Sequence, residues 1–200
     1  CHDGPMPSYR TEGIVLRTHK LGEADRIITL LSPELGKVRA VAKGVRRTKS
    51  RFGARLEPFS RVDLLLHAGR SLDVVTQAES LDAFGQDLAL DYGRWTTGQA
   101  MLEAADRLTH ESAATKSQYL LLLSGLRALT AGQHAHSLVL DSYLLRALSM
   151  AGYAPSLDAC VVCAQPGPQP FFHVSSGGCV CAAHRPPGSV APRMESIDLM

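Results

Sequence analysis

RIITLLSPELGKVRAVAKGV, Arg26 to Val45, holds two short apolar runs joined by a turn. Arg26–Leu31 is rich in β-branched and aliphatic residues and closes on SPELGK, whose Ser, Pro and Gly break extended chain. Val38–Val45 resumes the extended pattern. Outward from this pair, Gly13–Arg17 (GIVLR) is an apolar run on the N-terminal side. Arg61–Leu66 (RVDLLL) and Ser71–Thr76 (SLDVVT) follow on the other, separated by HAGR, a hairpin-like gap.

Five short strands of this composition predict a small barrel. In an OB-fold a helix often sits between the third and fourth strands; here that interval is a basic segment. No Asp or Glu lies between Leu35 and Leu56, yet Lys37, Arg39, Lys43, Arg46, Arg47, Lys49, Arg51 and Arg55 all do. The whole chain carries only +2, so the excess is local, which points to a polyanionic partner or to a solvated loop.

Beyond about Gln86 the period changes. Leu88, Tyr92, Trp95, Leu102, Ala105 and Leu108 recur at helical spacing. Tyr119–Leu129 and Leu138–Met150 read as two more helices, the last stopped by Gly152 and Pro155. The absence of a free linker predicts that barrel and helices pack together. The fold class is therefore α+β: a five-stranded OB-fold barrel over residues 6–82, then an all-α domain over 83–200 carrying an inserted metal segment at 158–186. The final MESIDLM reads as the start of a helix, as if the chain stopped inside a longer domain.

That segment holds Cys160, Cys163, Cys179 and Cys181, four of the five cysteines, followed by His184. Clustering of this kind reads as metal binding rather than a disulfide framework. A structural zinc takes four thiolate or imidazole ligands, paired on tight turns about three residues apart. Cys160/Cys163 and Cys181/His184 have that spacing, and Cys179 is an alternative ligand. A redox CxxC and ordinary buried thiols are the competing readings.

Within the basic run, Lys43, Arg46, Arg47, Lys49 and Arg51 are the candidate phosphate contacts, and Phe52 a candidate stacking ring. Phe59 reads as barrel wall. No P-loop, GxSxG or HExxH is present. Glu23 and Asp25 read as turn charges, and His134 and His136 as solvent-facing. There is no run of the roughly 18 to 20 apolar residues that a membrane span needs, and no signal h-region at the N-terminus. The expected location is cytoplasmic.

LRTHKLGEADRIITLLSPELGKVRAVAKGVRR and KSRFGARLEPFSRVDLLL together resemble the N-terminal domain of the bacterial RecO family, in an actinobacterial-like form. The shared pattern falls on Gly22, Glu23, Asp25, Arg26, Gly36, Lys37, Lys43, Gly44, Arg46, Ser50–Phe52 and Leu56–Phe59. The resemblance implies an OB-fold, a helical domain and, in many members, a zinc segment. It implies a non-enzymatic recombination mediator in DNA repair. Such a protein binds single- and double-stranded DNA, anneals complementary strands and, with RecR, promotes RecA loading on SSB-coated strands. The C-terminal tail of SSB is an implied partner, the location nucleoid-associated, and Lys43, Arg46, Arg47, Lys49 and Arg51 the implied DNA contacts. The family often has four cysteines; here His184 stands at the last position and Cys179 is additional, which leaves both as candidates to complete the site. A generic RNA-binding OB protein and a zinc-dependent enzyme are the alternatives.

Overall fold

The computed structural model describes residues 7–45, 52–111 and 115–191. The chain forms two compact units, Cys1–Ala147 and Leu148–Met200.

The first unit begins with β1 (Ser8–Leu21), β2 (Asp25–Ser32), β3 (Gly36–Ala42), β4 (Ser60–His67) and β5 (Asp73–Ala83). They close into a barrel in the order β1-β2-β3-β5-β4, with β4 returning to β1. All pairs are antiparallel except β3–β5. This is the OB-fold. Strict alternation builds it: β4 buries every second residue, so Val62, Leu64 and Leu66 point inward. They meet Ile28, Leu30, Val38 and Ala40 from β2 and β3. Between β3 and β4 the described chain makes one short 3-10 turn, Gly53–Leu56.

A register shift between Val15 and Arg17 marks a bulge in β1. Ordinary alternation turns Val15 to the barrel interior while Ile14 and Leu16 join a second core outside it, and the bulge then keeps Arg17 on the outer face as well. That second core is shared by Ile14, Leu31 and Phe59 of the barrel with the helices. These are α1 (Phe84–Leu88), α2 (Tyr92–Leu108), α3 (Lys116–Ala131) and α4 (His136–Met150). Leu88, Met101, Tyr119, Leu122, Leu126 and Tyr143 are among their contributions, and burying an aliphatic side chain of this size is worth about 1.5–3 kcal/mol. Barrel and helices thus pack together as expected.

One helical expectation is corrected. The stripe from Leu88 to Leu108 is not one helix, because α1 ends at Leu88 and Asp91 caps α2, accepting the Arg94 N–H at 2.8 Å. Tyr92, counted on the apolar stripe, is 84 % exposed.

Arg61 joins four elements. Its guanidinium donates to the Tyr119 hydroxyl at 2.9 Å, to Asp82 at 3.0 Å and to Glu12 at 2.8 Å. The carboxylates are about one-third exposed, so solvent screens part of the loss when the cation is removed. Arg61→Ala is expected to lower stability by about 1–3 kcal/mol, read as a shift in urea midpoint with unchanged slope. An unchanged midpoint would show that the network is only a surface ornament.

In the second unit, β6 (Phe171–His173) pairs antiparallel with β7 (Gly178–Val180). Its buried hydrophobic cluster among the described residues is small: Cys160, Val180 and Cys181, flanked by Val161 and Phe171. No described helix is long and apolar enough to cross a membrane.

Candidate metal centre and nucleic-acid interface

Cys160 opens a tight turn. Its carbonyl accepts the Ala164 N–H at 2.8 Å, and Ala164 takes a positive φ of 57° to close it. Cys163 is thereby folded back beside Cys160. The second half of the site sits where β7 ends: Cys181 follows the strand, and the 3-10 turn Ala182–His184 brings His184 round, its N–H donating to the Cys181 carbonyl at 3.1 Å. The two knuckles converge. One ligand atom from each of Cys160, Cys163, Cys181 and His184 lies within 4.8 Å of all the others.

The donor set fits a tetrahedral thiophilic ion. Cys163 Sγ and Cys181 Sγ are 4.0 Å apart, and zinc–sulfur bonds of about 2.3 Å give a tetrahedral edge of about 3.8 Å. His184 Nδ1 stands 3.2 Å from Cys181 Sγ. Backbone N–H groups of Cys163 and Cys181 aim at Cys160 and pull its thiol down to about 6, toward the thiolate a metal requires. Cys179 is different. It is 3 % exposed, lies outside the four, and burial pushes its thiol up. The Cys181/His184 alternative is thus the one the geometry assembles. Four protein donors close the shell, so the arrangement suits a structural ion and leaves no open position for catalysis.

The basic run divides in the structure. Lys43 is exposed at the end of β3. Arg46, Arg47, Lys49 and Arg51 lie outside the described residues. Phe52 is 2 % exposed and packs into the barrel core with Leu56. Its ring therefore has no free face for a base, which corrects the stacking role expected of it. Phe59 is also fully buried, as wall between barrel and helices.

Asp25, read as a turn charge, and its neighbour Arg26 do more than turn. Asp25 Oδ1 accepts the Gly44 N–H at 2.7 Å, fixing the chain just before the run. Arg26 pairs with Glu57 just after it. Adjacent residues at the start of β2 thus hold both flanks. The signal was present in the sequence, since Gly22–Arg26, Lys43–Gly44 and Leu56–Phe59 belong to one shared pattern. Histidine readings are simpler: His136 is exposed at the start of α4, with Nδ1 3.2 Å from Thr97 Oγ1.

Comparison with known proteins gives the same frame. Residues 6–84 match the profile of the Recombination protein O N terminal family, and residues 89–200 that of the Recombination protein O C terminal family. The DNA repair protein RecO of Thermobifida fusca (strain YX) is 57 % identical over 196 residues, covering 98 % of this chain and 81 % of that relative. The DNA repair protein RecO of Nocardioides sp. (strain ATCC BAA-499 / JS614) is also 57 % identical over 196 residues, covering 96 % and 80 %. The chain belongs to the RecO family of DNA repair proteins.

Proposed function

We propose that the chain is a recombination mediator that binds single- and double-stranded DNA through the basic side of its barrel. It anneals complementary strands and, with RecR, promotes RecA loading on SSB-coated single strands, with the SSB C-terminal tail as a further contact. The observation that carries this is the acid-free stretch between Leu35 and Leu56, with eight cations, mounted on an OB barrel in a RecO chain. The family is not a catalytic one, and annealing needs no bond made or broken. Two strands must be held together while their phosphate repulsion is screened, which a dense cationic surface does by displacing condensed counterions.

Lys43, Arg46, Arg47, Lys49 and Arg51 are the proposed contacts, in a cytoplasmic, nucleoid-associated protein. Zinc is the proposed ion at Cys160, Cys163, Cys181 and His184, and its role is to hold the second unit together.

The test is annealing of complementary strands coated with SSB, with and without RecR, beside equilibrium binding of DNA and RNA of equal length across a salt series. DNA binding is expected to weaken steeply from about 50 to 200 mM salt, and coated strands to anneal faster with the protein than without. Tighter binding of RNA than DNA, with no annealing, would instead make it an RNA-binding OB protein, because the 2′-OH is the discriminating group.

A further inference from the structure

The aromatic surface beside the basic run belongs to a different residue from those the sequence marked. Phe52 and Phe59 are 2 % and 0 % exposed. Trp95, in the first turn of α2, is half-buried, and its ring packs on Phe59 with centroids 4.8 Å apart at 59°. Phe59 is itself held rigidly. Its φ of 70° is unusual for a ring residue, and its N–H donates to the Val15 carbonyl at 3.1 Å. Gly98, one turn beyond Trp95, keeps that ring in place: a Cβ there would come within 2.8 Å of it.

The indole lines a groove of 840 Å3, a size suited to a small planar ligand. Arg55, the last cation of the basic run, lines the same groove, as do Gln86 on α1 and Gln99 on α2. Among the described residues one carboxylate borders it, Glu57, and the Arg26 guanidinium engages that group. On the far side of Trp95 a smaller groove of 560 Å3 carries Glu103 and Asp106. Those acids are engaged by Arg107 and by Arg17 and Lys37. The larger groove thus borders one acid and the smaller one two, each engaged by a cation.

We propose that Trp95 is a stacking platform for a base of the bound single strand, with Gln86 and Gln99 as the hydrogen-bonding groups at its edge. The proposal rests on the DNA-binding reading above and deepens it. Arg55 and the indole line one groove, so a strand lying along it brings a base to the ring. A ring already fixed by Phe59 loses little freedom on stacking. Primary amides both donate and accept, so they serve any base edge and leave the contact tolerant of sequence, as annealing requires.

The chain has one tryptophan, so its emission reports on this position alone. The experiment titrates the protein with labelled oligothymidylate and with an abasic deoxyribose-phosphate strand of the same length, following label anisotropy and indole emission together. Both strands are expected to bind, and only the base-bearing one to quench the indole. Trp95→Ala is expected to weaken oligothymidylate binding about 5- to 150-fold and to leave abasic binding unchanged, with Trp95→Phe recovering most of the loss. Both strands binding with equal quenching, or with none, overturns the proposal and leaves the DNA-binding reading standing. Equal weakening of both strands by Trp95→Ala shows a purely structural role and also overturns it. Failure of both strands to bind the wild type overturns the DNA-binding reading and this proposal with it. The quenching comparison needs no variant, so a folding defect in Trp95→Ala does not blur the result.

Discussion

Cys160→Ala is expected to abolish metal binding and unfold the second unit while leaving the barrel and its helices folded. The reason is the size of what remains. Among the described residues the hydrophobic cluster of that unit is Cys160, Val180 and Cys181, with Val161 and Phe171 against it. Ordering each residue costs about 1–2 kcal/mol of backbone entropy, and a cluster this small offsets only a few residues' worth. A structural zinc in zinc-finger peptides contributes about 10–16 kcal/mol of apparent binding free energy, and on the proposed reading an ion at this site adds its binding free energy to folding in the same way. The variant also removes the sulfur at which the Cys181 N–H is aimed, 3.4 Å away. Hydrogen exchange reads the outcome directly. The Val161, Ala164, Cys179 and His184 amides, all bonded within this unit, should lose protection in Cys160→Ala and in the chelator-treated wild type. The ladder amides of β1 and β4 should keep theirs. Cys179→Ala is the contrasting case, with one metal ion per chain retained, because that thiol lies outside the four. Full metal occupancy and unchanged protection in Cys160→Ala would sink the assignment.

What was legible before the structure was mostly local. The strand at Arg61–Leu66 declares itself because its burial alternates at every residue, and alternation is visible in one dimension. The Cys160, Cys163, Cys181 and His184 cluster was legible for the same reason: each knuckle lies within four residues, and only the meeting of the two knuckles is tertiary. β1 was longer than its apolar run, extending to Leu21, because the exposed Arg17 and His19 hide the ladder that continues beneath them. The break before α2 was marked by Asp91, a capping residue passed over because Leu88 and Tyr92 happened to keep helical spacing across it. Phe52 could not be placed from sequence at all. A ring next to arginines looks like a stacking surface, and only closure of the barrel shows that it fills the interior. The Arg61 network was invisible for a related reason, since its partners lie 49, 21 and 58 residues away in sequence.

Replacing Arg46, Arg47, Lys49 and Arg51 together by alanine is expected to flatten the salt dependence of DNA binding more than any other change in the barrel. Each phosphate neutralised releases counterions, with a log–log slope of about 0.7 for a single strand and about 0.9 for duplex. Four lost contacts thus predict a slope smaller by about 3 on single strands and about 3.5 on duplex. Lys43→Ala alone should lower it by about 1. The two substrates separate the electrostatic claim from the stacking one, because paired bases in a duplex cannot offer a face to Trp95. Duplex affinity should therefore fall with the fourfold variant and stay unchanged in Trp95→Ala, while single-strand affinity falls in both. Stability should be untouched by Lys43→Ala, whose side chain is exposed and makes no ion pair among the described residues. If the fourfold variant keeps the wild-type slope on both substrates, the run is a solvated surface and the phosphates lie elsewhere. If it loses slope but still anneals coated strands at the wild-type rate, charge screening by the run is not what brings the strands together.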